Sequence, residues 1–82
     1  MEAIIDKYPV NPSWPKKDIS GSGQIKQLVH DSESQRLFIM FVDTSVYSYT
    51  PVTSKKYLEM ADSTSVGSYF HKHIKKLKTQ KH

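Results

Sequence analysis

The chain has 82 residues, 37% of them apolar and 24% charged, and a formal net charge of +4. That length supports one domain with a modest core, and the composition is ordinary for a globular fold. There is no cysteine, which excludes disulfides, thiolate nucleophiles and cysteine-ligated zinc, and no apolar run reaches the roughly 18 residues of a membrane span.

The charge is unevenly placed. Residues 1–50 carry five bases and six acids, whereas residues 51–82 carry seven bases and two acids. The opening stretch has an acid at Glu2 and only the short apolar pair Ile4–Ile5, unlike a secretory leader, so a cytoplasmic protein with no membrane partner is expected. Residues 1–23 read as an irregular or extended arm, because Pro9, Pro12 and Pro15 break helices and remove backbone donors. Trp14, between two of those prolines, either pins the arm to the domain together with Val10 or presents it to a partner; burial of a large ring favours pinning. Ser20-Gly21-Ser22-Gly23 reads as a flexible lead into the first strand.

Gln24 to His30 predicts a strand of mixed character, and Asp31-Ser32-Glu33-Ser34-Gln35 a polar turn. Leu37 to Val42 is apolar throughout, too short for a typical helix and rich in β-formers, so it is expected to be a central strand covered on both sides. Asp43-Thr44-Ser45 makes a second turn, and Val46 to Thr50 a third strand with Tyr47 and Tyr49 on one face, stopped by Pro51. Thr53 or Ser54 can cap a short helix over Lys55–Ala61 that buries Tyr57, Leu58 and Ala61. After a polar link, Val66, Tyr69, Phe70, Ile74 and Leu77 share one face of a second, longer helix. The expected fold is α+β: a three-stranded antiparallel meander followed by two helices packed on one face, behind an irregular Pro-rich N-terminal arm.

The order of these residues resembles the KTSC domain, a family named for its occurrence at the C-terminus of some lysyl-tRNA synthetases. The resemblance runs from Ser22 to about Lys75. It rests on Ser22…Ile25, Leu37…Phe41, Tyr47-Ser48-Tyr49, Pro51-Val52…Tyr57-Leu58…Ala61 and, most specifically, the block Ser65-Val66-Gly67-Ser68-Tyr69-Phe70-His71-Lys72-His73-Ile74-Lys75. It departs from the family pattern in three places. Asp43-Thr44-Ser45 stands where a turn glycine is usual, the Ala61–Gly67 spacing is about two residues longer, and His71 replaces a common asparagine. The resemblance divides the chain into an arm at 1–21, a KTSC-like domain at 22–78 and a basic tail at 79–82. The synthetase fusion implies contact with RNA, and stand-alone members are frequent in phage genomes.

Two features carry candidate chemistry. Ser63, Thr64, Ser65 and Gly67 surround the start of the second helix, where free backbone N–H groups and the helix dipole favour an anion; plain N-capping by Ser63 or Ser65 is the competing reading. Lys72, Lys75, Lys76 and Lys78 form a basic face, with His71 beside them, Lys81 beyond and Lys55 and Lys56 on the other helix; it binds phosphates or is simply solvated. Tyr47 and Tyr49 are expected to pack under the helices rather than to stack bases. His71 and His73 point about 200° apart on a helix, so no metal site is expected there, and His73 should be buried beside Tyr69 and Ile74. No catalytic motif is present and no cofactor is implied.

These residues point to a non-catalytic module recognising RNA or nucleotide phosphates through a basic C-terminal helix, using Ser65, Gly67, His71, Lys72, Lys75, Lys76 and Lys78. The alternative is a protein-directed inhibitor or adaptor, of a kind phages encode, aimed at an acidic or nucleic-acid-binding surface on a host nucleic-acid enzyme or defence factor. A small hydrolase using His71 is a third reading, weakened by the absence of a partner carboxylate in its segment.

Overall fold

The computed structural model describes residues 4–20 and 23–82; Gly21 and Ser22, part of the flexible lead and of the family resemblance, lie outside the described residues. The apolar run becomes strand β3 (Arg36–Phe41), whose side chains alternate between two buried faces. Leu37 and Ile39 point to one core cluster, Phe38 and Met40 to another. β3 is central, as expected of a strand apolar on both sides: the sheet order is β1-β2-β3-β4-β5, antiparallel throughout. Val42 falls outside the strand, in the following turn, and is 53% exposed.

The sheet thus has five strands among the described residues, not the three expected. β2 (Ile25–Asp31), β3 and β4 (Val46–Thr50) form the anticipated meander. β1 (Lys16–Asp18) and β5 (Lys78–Lys81) extend it at either edge. The arm is therefore not wholly irregular. It opens with one helical turn, α1 (Ile4–Lys7), and closes with β1 paired to Gln27–Val29. A bulge between Ile25 and Gln27 puts Ile25 and Leu28 on one face and Gln27 and Val29 on the other, which explains the mixed pattern of β2.

α2 (Ser54–Ala61), α3 (Val66–Tyr69) and the π turn that continues it cover one face with Tyr57, Met60, Ala61, Val66, Phe70 and Ile74. Thr53 caps α2, its hydroxyl accepting from Lys56 N at 3.1 Å. Leu58, expected to be buried, is 57% exposed; Met60 takes its place because the buried face follows i, i+3, i+4 from Tyr57. Tyr49 lies edge-on to Phe70 at 5.3 Å, and burial, with a smaller push from Tyr47, raises its hydroxyl to about 12. Both tyrosines of β4 pack on this core. His30, which sequence reasoning left without a role, is buried here too. Its Nε2 donates to the Val52 carbonyl at 2.6 Å and its ring stacks on Tyr57 at 5.0 Å.

The opposite face is covered by the arm. Ile4, Tyr8, Val10 and Trp14 pack on Val29, Phe38, Met40 and Val46, with the Trp14 ring stacked 6.1 Å from Phe38. Ile4 N donates to Gln27 Oε1 at 2.8 Å and fixes the start of this cover. The pinning reading of Trp14 is the one the fold adopts.

The largest departure is at the C-terminal end. The helix begun at Val66 widens into a π turn over Phe70–Ile74, with Lys75 N donating to Phe70 O at 2.8 Å, and stops there. Leu77 continues the helical spacing but is already in the turn to β5, which pairs with β4 from Thr50↔Lys78 to Tyr47↔Lys81. The expected single helix to Leu77, and the basic tail after it, are replaced by a helix, a turn and an edge strand. His82 then folds onto the arm face, its ring 4.2 Å from Tyr8 and 5.3 Å from Phe38. Arg36 Nη1 donates to Ser48 Oγ at 2.9 Å, and His82 Nε2 bonds the same hydroxyl at 2.7 Å.

Burial followed by the Arg36 charge pushes the His82 pKa below 6.5, which favours the neutral ring. The folded state binds fewer protons than the unfolded chain, so this contribution is complete above pH ~6.5 and is lost as pH falls through the lowered value. Amide-exchange protection of Lys78–His82 is expected to decline over that window, and His82→Phe, which keeps the ring contact, should flatten the pH dependence.

Candidate functional site

An open groove of about 680 Å³ lies between β1 with Ser20, Gly23 and Gln24 on one side and the turn from α2 into α3 on the other. One wall carries Lys17, Asp18, Ser20 and Gln24; the other carries Ser63, Thr64, Ser65, Gly67, Ser68 and His71. Two hydrogen bonds join the walls. Lys17 Nζ donates to the Ala61 carbonyl at 2.7 Å, and His71 Nε2 meets Gln24 Oε1 at 3.1 Å, the imidazole donating because the amide oxygen only accepts.

Local sequence builds the helix-side wall. Ser63 Oγ accepts from Ser65 N and donates to Ser65 O, closing a tight turn ahead of the helix. Ser65 has extended backbone angles and is the N-cap; its hydroxyl accepts from Ser68 N at 3.3 Å and donates to Ser68 Oγ at 2.9 Å. The capping role of Ser65 is thus realised, while Ser63 shapes the turn before it. A Cβ on Gly67 would stand 3.5 Å from Gln24 Oε1, an ordinary contact, so this glycine faces the other wall across the groove.

The structure brings Ser65, Gly67 and His71 together and leaves Lys72, Lys75, Lys76 and Lys78 outside the lining. Lys72 is on the π turn, Lys75 at its C-cap, Lys76 in the following turn, and Lys78 opens β5; all four are exposed. Lys78 is therefore not a helical residue, because β5 takes it to pair with Thr50. His73 is exposed with its ring 4.5 Å from Tyr69, not buried, since the wider π turn shifts residues relative to an α-helix. Tyr69 Oη donates to Glu59 Oε1 at 3.2 Å, tying the two helices together; burial and then this bond raise its pKa.

Sequence reasoning missed Lys17, Asp18, Gln24 and Ser68. Lys17 and Asp18 sit in the arm, and only the pairing of β1 with β2 carries them to the groove. Among the described residues, no three His, Cys, Asp or Glu side chains cluster closely enough to hold a metal ion. Among the described residues, no helix is long and apolar enough to cross a membrane.

The KTSC domain family model matches residues 21–77. The chain belongs to the KTSC family. A crystal structure of a KTSC domain protein from Yersinia pestis is similar to it, with a TM-score of 0.77 and 24% identity over 85% of this chain and 99% of that one. That likeness supports the shared fold. No curated protein matches the chain. Where the family resemblance places a turn glycine, Thr44 here takes φ 70°, the left-handed region that favours glycine, beside Asp43. The Ser45 hydroxyl and backbone N–H bond the Asp43 carboxylate and hold its pKa below the usual value, so a side-chain turn stands in for glycine's freedom.

Ser65→Ala removes the N-cap acceptor at the groove wall and is expected to cost about 1 kcal/mol of stability. Urea denaturation measures this; an unchanged midpoint would mean that the cap does not hold the helix start.

Proposed function

We propose that this KTSC domain is a non-catalytic module that binds RNA or nucleotide phosphates. The observation that carries this reading is the run of cations that follows the groove wall in the chain. Gly67, Ser68 and His71 line the groove, and Lys72 on the π turn and Lys75 at its C-cap come next, both exposed. Lys76 and Lys78 follow, and no Asp or Glu occurs from Ser63 to His82. A polar groove that opens onto cations without intervening acids attracts a polyanion and lets it settle along the wall. The synthetase fusions of the family are consistent with an RNA partner. His71 is bonded to an amide rather than to a carboxylate, which supports binding over general-base catalysis.

The protein-directed inhibitor or adaptor is the second reading, supported by β5, an edge strand whose four residues are all exposed. An acidic partner surface would then meet Lys78 and Lys81, and binding would persist after nuclease treatment.

The double charge reversal Lys72→Glu/Lys75→Glu separates affinity from stability. Both side chains are exposed, so the unfolding free energy should move by no more than about 0.5 kcal/mol. Affinity for single-stranded RNA should fall steeply. With five phosphate contacts, the parent's log–log salt slope should be about −3.5 on single strands. Unchanged affinity in the variant removes the reading.

A further inference from the structure

The groove has a property that the lysines beyond it lack: its charged and imidazole groups are held in place. Lys17 Nζ is tethered to the Ala61 carbonyl at 2.7 Å. That bond uses one of three ammonium N–H donors, at a helix C-terminus whose dipole favours a cation. His71 is held to Gln24 at 3.1 Å. Side chains fixed before a ligand arrives lose less freedom on binding. The volume of about 680 Å³ lies within the ~300–1,000 Å³ of small-molecule sites, more than an inorganic anion fills.

We propose that the groove is a site for a single nucleotide, with Lys17 on its phosphate and Ser20 and Thr64 on the sugar and the base edge; the Asp18 carboxylate is already engaged by Gln27 Nε2 at 2.8 Å and takes no part. This rests on the phosphate chemistry of the preceding reading but assigns it to different side chains. Hydroxyls donate and accept, which suits the mixed polar edges of a nucleoside. No Phe, Tyr or Trp is among the described residues lining the groove. The base is therefore read by its edge, unlike the aromatic platforms of single-strand binders. Both cross-ties join wall to wall, which leaves less room for a threaded strand than for one nucleotide. Lys17, Asp18 and Ser20 precede the family-matched residues 21–77, so this wall is set by the arm.

The test is a titration of the ¹⁵N-labelled full chain, by NMR and calorimetry, with adenosine 5′-monophosphate, adenosine, inorganic phosphate and a short oligouridylate. The monophosphate should shift the amides of Lys17–Ser20, Gln24 and Ser63–Ser68, and bind about tenfold more tightly than phosphate or adenosine. Lys17→Met should weaken it by about tenfold. Thr64→Asp, on the exposed rim, should do the same by repulsion with an unchanged melting temperature, and it decides the matter if Lys17→Met unfolds. Lys72→Glu/Lys75→Glu should leave monophosphate affinity within about twofold. Equal affinity for phosphate and monophosphate overturns the assignment, as do shifts outside the groove or indifference to both groove variants. Oligouridylate binding that depends on Lys72 and Lys75, without monophosphate binding, overturns this site and leaves the RNA reading standing. Monophosphate binding without oligouridylate binding does the reverse.

Discussion

β3 is apolar on both faces, and a strand of that kind cannot leave either face to water. Burying a large aliphatic or aromatic side chain is worth about 1.5–3 kcal/mol, and Leu37, Phe38, Ile39 and Met40 alternate between the two sides. Two separate covers are therefore required. The helices α2 and α3 supply one, and the Pro-rich arm, with Ile4, Val10 and Trp14, supplies the other. The arm is structural for this reason, although its composition alone looks like a linker.

The groove follows from that arrangement. Once the arm has crossed the face opposite the helices, its last residues pair with the outer side of β2 as β1. This leaves Lys17 and Asp18 at the sheet edge, across from the turn that joins the two helices. Lys17 then reaches the exposed carbonyl end of α2, a group that needs a donor because no further helical N–H follows it. The same bond satisfies the helix end and fixes a cation beside the groove. At the far edge, Arg36, Ser48 and His82 form a second polar lock, which holds the final strand against the arm face.

The lysines have more than one physical role. Lys16 and Lys17 lie on one edge strand, Lys78 and Lys81 on the other. Charged side chains on sheet edges discourage pairing with other chains. Lys81 also sits over the Tyr47 ring at 5.9 Å, and Lys17 caps α2. Lys72, Lys75 and Lys76 stand apart from these roles, exposed where the helix ends. They are the cations of the C-terminal segment that neither the edges nor the caps account for.

Local patterns made much of the fold readable. The doubly apolar run, the two polar turns, the Thr53 cap and the Ser65 cap each depend on neighbours within a few residues, and each stands in the structure as the sequence implied. β1 and β5 were not readable, because Lys16–Asp18 and Lys78–Lys81 are short and polar and become strands only by pairing with residues 9 to 34 positions away. Leu77 misled for the same reason: it keeps the helical spacing, while the open edge of β4 draws the following residues into the sheet. Ser65, Gly67 and His71 could be singled out because they share one segment. Lys17 and Asp18 could not, since their place at the groove depends on a strand pairing made across the whole width of β2. The sequence by itself determined the central strand, the α+β class and the excess of cations toward its end. Only the tertiary structure decided that the cations held in place are Lys17 and Arg36, outside that segment, because long-range hydrogen bonds, not local periodicity, do the holding.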